Sequence, residues 1–219
     1  REVTEALDAE MGLTAQHEAW AAHMTGASEP ADLPTVHLDD VSEIPFLNGV
    51  VGMEYYQLRA RVRARSGDVY VATCAEVPGY EPYNRSRLGL GDPEFVWAPP
   101  VTVPSAVADA CRLGQALEPL CAFARNAGWV RIHPYMGSNP VWNLARALAE
   151  GSGARVSVQA PPPHITWLAN DKERVTWLGE AILGDGVLGG PPVAETFAAD
   201  TPEALGAHLR ALAVRHRRV

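Results

Sequence analysis

Apolar and polar positions change period several times along the chain, and each change predicts an element. Residues 155–160, Arg-Val-Ser-Val-Gln-Ala, alternate β-branched with polar side chains and run into Pro161-Pro162-Pro163, so a strand should stop there at a sheet edge. Beyond His164, the quartet Asn170-Asp171-Lys172-Glu173 offers an N-cap and a first-turn acid, after which Val175, Leu178 and Ile182 recur at helical spacing. Lys172 is thereby predicted in the first turn of a helix.

Towards the start, residues 3–11 and 14–24 predict two short helices, with Thr14 as the N-cap of the second and Trp20 and Met24 on one face. A polar, proline-bearing connector covers 26–34. Asn48-Gly49 signals a turn, and 52–65 predict a helix with Met53, Tyr56, Leu58 and Val62 inward and Arg59, Arg61, Arg63 and Arg65 largely outward, most simply as a solvated face and alternatively as a contact for a phosphate or an acidic substrate. Strands are then expected at 69–73, 94–97 and 130–133, alternating with helical segments around 80–88, from Ser105 onward and at 141–150. The helix after Pro104 keeps Val107, Cys111, Gly114, Leu117, Cys121 and Ala124 on one face, and Pro119 should bend or split it near Glu118. After a glycine-proline loop come a short strand at 193–197 and a last helix begun by Thr201-Pro202-Glu203, with Leu205, Leu209 and Leu212 inward. Strands alternating with helices of these lengths predict an α/β fold: a mostly parallel sheet with helices on both faces.

Composition narrows the partners. A formal net charge of -8 with no dominant basic patch argues against a nucleic-acid binder, and no apolar run approaches the ~18 residues of a membrane span. Cys74, Cys111 and Cys121 form no Cys-x-x-Cys and no even framework, so reduced thiols and a cytoplasmic location are expected. Lys172 is the only lysine among 18 basic residues, the rest being arginine. An ammonium at the positive end of a helix macrodipole is unfavourable by about 0.3–1 kcal/mol, and a bound phosphate would offset that; the alternative is an exposed lysine paired with Asp171 or Glu173.

Other motifs carry less. His37, Asp39, Asp40 and Glu43 fit no metal-ligand spacing and are expected as solvated loop carboxylates with a neighbouring histidine. Gly184-Asp-Gly186-Val-Leu-Gly189 matches a dinucleotide fingerprint in letters alone, because it follows a helix and not a strand. This speaks against a cofactor-binding oxidoreductase. His133-Pro-Tyr135-Met-Gly137-Ser-Asn139-Pro140-Val-Trp142 begins at a strand's carboxyl end, where ligands of open α/β sheets bind. His133 and Tyr135 are its nearest polar groups, Pro140 suits a helix's first turn, and Asn139 could cap that helix and leave amides facing an anion.

The run Ile165-Thr-Trp-Leu-Ala-Asn170-Asp171-Lys172, with the helix, loop, short strand and helix that follow, resembles the entry into an ATP-grasp domain. The segments Leu38-Asp-Asp, Glu43-Ile-Pro-Phe-Leu-Asn-Gly49 and His133-Pro-Tyr-Met-Gly137 resemble the pre-ATP-grasp domain of peptide ligases of the pheganomycin type. The resemblance implies a Rossmann-like pre-ATP-grasp domain at 1–169, including a helical N-terminal segment at 1–34, and an incomplete start of an ATP-grasp subdomain at 170–219. It implies the substrate-binding part of an ATP-dependent ligase that joins a carboxylate to an amine through an acyl phosphate. Lys172, with Asn170, would then approach the phosphates of ATP and its Mg2+, while His133, Tyr135, Asn139, Asn48 and Glu43 would face substrate. The expected partners are the small-molecule carboxylate and amine, with neither nucleic acid nor membrane, and a homo-oligomer is compatible. The family's glycine-rich phosphate loop, adenine hinge and acidic metal ligands lie beyond the matching region, so residues 1–219 alone are expected to be inactive. The alternative is a non-catalytic α/β module that binds a small acid or a partner protein.

Overall fold

A computed structural model describes residues 2–26, 29–47, 49–183 and 196–215. In chain order the elements are α1 (Glu2–Met11), α2 (Leu13–Trp20), β1 (Thr35–Leu38), α3 (Ala60–Arg63), β2 (Val69–Ala72), α4 (Tyr80–Ser86), β3 (Glu94–Trp97), α5 (Val107–Leu113) and α6 (Leu117–Ala127). They continue with β4 (Trp129–Pro134), α7 (Asn139–Ser152), β5 (Arg155–Val158), α8 (Pro163–Asn170), α9 (Lys172–Leu183) and α10 (Pro202–Arg215). Two compact units result: Leu13–Thr166, and Arg1–Gly12 with Trp167–Val219.

The larger unit is built on a five-stranded sheet of order β3-β2-β1-β4-β5, every pair parallel. This is a Rossmann-like α/β fold. Alternate strand residues point to opposite faces, and here the two faces differ in chemistry. Val36, Leu38, Val69, Val71, Val130, Ile132, Val156 and Val158 join Val107, Cys111, Leu120, Cys121, Val141, Trp142 and Leu144 of α5, α6 and α7 in the main core. The cysteines are buried packing residues, as their helical spacing predicts. On the opposite face, Tyr70 stacks on Phe95 at 4.9 Å and packs with Ala60 and Ala64, so the β2–β3 half has a small apolar cover. The β1–β4 half of that face carries Thr35, His37, Arg131 and His133. This polar strip is where the site lies.

β1 is absent from the sequence expectations, and its composition explains why. It is short and all four of its residues are buried, but only Val36 and Leu38 face the apolar core. Other elements shift. Thr14 lies inside α2, which begins at Leu13. The segment 53–59 is a 3-10 helix that passes into α3. The break between α5 and α6 falls at Gly114, where the amide closes on Ala110 O, and Pro119 fits harmlessly in the first turn of α6. α8 forms directly from the proline block, starting at Pro163.

Burial overturns two of the assigned faces. Arg61 is fully buried, whereas Val62 is 49% exposed. Arg61 Nε donates to Glu81 Oε1 at 2.6 Å and Nη2 to Gly91 O at 2.8 Å, and Tyr70 Oη donates to the same Glu81 oxygen. In α10, Thr201 caps as expected through Oγ1 to the Ala204 amide, but Leu205 and Leu209 are exposed and none of its described residues is buried. Asn48, the glycine motif at 184–189 and most of the strand expected at 193–197 lie outside the described residues.

Candidate functional site

The strand order places β1 beside β4 while the chain leaves them in opposite directions, to β2 and to β5. Loops therefore part at the carboxyl ends of β1 and β4 and open a crevice, the usual ligand position in such sheets. Asp39 and Asp40 follow β1, and both are buried, contrary to the expectation of solvated carboxylates. A buried carboxylate needs partners. Asp40 accepts from the Ser42 amide and hydroxyl and from the Ala108 amide at the start of α5; burial nevertheless pushes its pKa up. Asp39 forms ion pairs with Arg63 and Arg59.

The motif after β4 meets the segment after β1 here. Glu43 accepts from the Asn139 amide at 3.1 Å and faces its Nδ2 at 3.5 Å, so two expected site residues are brought together. The carboxylate of Glu43 thereby occupies the start of α7, where an anion was expected, and Asn139 is the first residue of that helix after Ser138 as N-cap. Tyr135 is 46% exposed and meets Tyr56 edge-on at 6.3 Å. The Arg59 guanidinium sits 3.3 Å from the Tyr56 ring centroid and 4.7 Å from that of Tyr135.

On the same polar strip, towards the amino ends of β1 and β2, lies an open cavity of about 400 Å³. Its walls include His37, Arg63, Arg65, Asp68, Arg131 and His133. Strand register sets the histidines side by side, with His37 opposite His133 and ring centroids 5.3 Å apart. Asp68, just before β2, accepts from the Thr35 amide, the Arg65 amide and His37 Nε2. Burial works to raise its pKa, but those bonds prevail and hold the carboxyl below its ordinary range. Arg131 is held by Glu29 and by the Pro30 carbonyl, while Arg65 extends into solvent and reaches Asp32 only at 3.9 Å.

Burial, the Arg63 guanidinium and the His37 ring push the His133 imidazole down from its ordinary 6.5 to about 4. The fold therefore favours the neutral ring: its contribution to stability is complete above pH 6.5 and is lost as pH falls towards 4. Burial and His17 shift His164 in the same direction. Urea midpoints should fall across this window, and His133→Gln should remove part of the fall. An equally steep fall in the variant would assign it elsewhere.

The remaining expected residues lie in the smaller unit. Asn170 ends α8, and the cap of α9 is Asp171, whose Oδ1 accepts from the Glu173 and Arg174 amides at 3.1 Å. Arg174 in turn joins Asp171 and Glu10. Asn170 lines a cavity of about 390 Å³ with Met11, Trp167, Asp171 and Arg174. Lys172 is exposed in the first turn of α9 and is not in that lining. The amides that would greet a phosphate are held by Asp171, so these residues do not by themselves fit a nucleotide triphosphate. No group of three or more His, Cys, Asp or Glu among the described residues could hold a metal ion.

Of the residues expected at the site from sequence, His133 lines this cavity, whereas Tyr135, Asn139 and Glu43 lie outside its lining; the sequence reading did not join His37, Asp68 and Arg131 to Arg63 and Arg65 as one group. Had Thr35 to Leu38 been recognised as a strand, its alternation would have placed His37 on the face opposite Val36 and Leu38. Fold and cavity together define an α/β domain with a ligand-sized polar pocket on the β1–β4 half of one sheet face, reaching towards the amino ends of β1 and β2. Comparison with family models, with curated proteins and with solved structures finds no match to this chain.

Proposed function

We propose that the larger unit binds a small carboxylate, and that it does so as the substrate-binding part of an ATP-dependent carboxylate–amine ligase. The single observation that carries the binding is the cavity on the polar sheet face, with three arginines and two histidines in its walls and Asp68 already satisfied by internal bonds. Guanidinium groups hold carboxylates by charge-assisted, paired hydrogen bonds. Of the three arginines, Arg65 is the least committed to the fold. The ligase assignment rests on the resemblance of the segments after β1 and β4 and of the Asp171-Lys172 helix start.

Calorimetric titration with small mono-, di- and tricarboxylates tests the binding. Arg65→Ala should weaken the bound acid about tenfold, equivalent to the loss of one charge-assisted contact, while leaving the unfolding midpoint within about 0.5 kcal/mol. Unchanged affinity would remove the cavity from the site. A second reading, a binding module without nucleotide chemistry, is favoured by one observation: Glu43 and Asp171 cap the starts of α7 and α9 with the chain's own carboxylates. ATP-dependent consumption of the bound acid in the presence of an amine would decide for the ligase.

A further inference from the structure

Within the cavity, the internal bonds leave two groups incomplete: Arg63, whose Nε has no hydrogen-bond partner among the described residues, and His37. Its side chain is almost wholly enclosed, its Nε2 lies 3.2 Å from Asp68 Oδ2, and its Nδ1 has no hydrogen-bond partner among the described residues. Because Asp68 stays a carboxylate, it can only accept, so Nε2 must carry the proton. In the neutral ring Nδ1 is then a lone-pair acceptor, and in the imidazolium it is a donor. Either way a buried polar atom is left unmatched, which is unfavourable.

The two forms restrict what can complete it. An ammonium would serve only the neutral ring, and a carboxylate oxygen only the charged one. A hydroxyl serves both, since it donates to a lone pair and accepts from an N–H. Arg63, whose Nη2 is paired with Asp39, and the largely exposed Arg65 line the same walls and offer their remaining guanidinium N–H groups to an anion, and Thr35, Ser66 and Gln159 add neutral polar groups. We propose that this cavity is a binding site for a small hydroxy acid, its carboxylate held by Arg63 and Arg65 and its hydroxyl hydrogen-bonded to His37 Nδ1. The proposal rests on the carboxylate reading given above and adds the substrate class.

Matched pairs that differ by one hydroxyl test it: lactate with propionate, malate with succinate, citrate with tricarballylate. Calorimetry on the whole chain should show, in at least one pair, the hydroxy acid binding about tenfold tighter than its partner. His37→Gln keeps an amide donor in reach of Asp68 while placing nothing at the Nδ1 position; it should abolish the preference and retain binding of the acid without the hydroxyl. Independently of any variant, the nitrogen-15 resonance of His37 Nδ1 should move on adding the hydroxy acid and stay still with its partner. Equal binding within every pair, or a preference that survives His37→Gln, overturns the hydroxy-acid proposal while the carboxylate reading stands. Failure of every acid to bind overturns both.

Discussion

Arg61→Ala is expected to lower folding stability by about 3–5 kcal/mol, because removing one member of a buried ion pair strands the other. The Arg61 side chain is fully enclosed and that of Glu81 is nearly so. Burial works to raise the Glu81 pKa, but bonds from Arg61 and Tyr70 outweigh it and hold the carboxyl below its ordinary range. The same pair, with the Arg61 contact to Gly91 O, ties α3 to α4 and to the loop before β3. Urea denaturation at pH 7 measures the loss. Arg61→Met combined with Glu81→Gln should recover a good part of it, since two well-packed neutral groups need no counter-charge. A loss below about 1 kcal/mol in Arg61→Ala would mean the pair contributes no more than a surface contact.

Gly137→Ala is expected to cost about 3 kcal/mol, at the upper end of ordinary overpacking. The difficulty is space and not backbone conformation. A Cβ at Gly137 would stand 1.8 Å from Pro161 O and 3.0 Å from Thr166 Oγ1. Pro161 O cannot yield easily, because it accepts from Trp142 Nε1 at 3.2 Å and from Thr166 Oγ1 at 3.1 Å, and Trp142 is fully buried in the core. The loop that carries Tyr135 and Asn139 would therefore have to move away from the segment after β5. Thermal unfolding should show a shift of about 6–12 °C for a chain of this size. Gly26→Ala, where nothing lies within 4 Å, should change the midpoint little. Equal effects at both glycines would refute the close approach.

Much of the fold was legible because hydrophobic period and helix signals are local. The strands at Val69, Glu94, Trp129 and Arg155 and the helices that follow Gly79, Ser138 and Asp171 were all visible as changes of pattern. β1 was not, since one of its faces is polar and period alone cannot separate such a strand from a loop. Arg61 was misplaced for a related reason. A helix-face reading puts every arginine of a cluster outside, whereas Glu81, distant in sequence, makes one of them an interior residue.

Chain order and side-chain chemistry alone determined an α/β protein with parallel strands, buried Cys111 and Cys121, a helix beginning at Lys172 and a strand that ends near His133 before the next helix. Only the tertiary structure decided what those polar groups face. Glu43 meets Asn139 across 96 positions of sequence, His37 meets Asp68 across 31, and the strand register sets His37 beside His133. Such contacts depend on which strands become neighbours, and that choice is made by burial of the common apolar core, to which no single segment's pattern gives access.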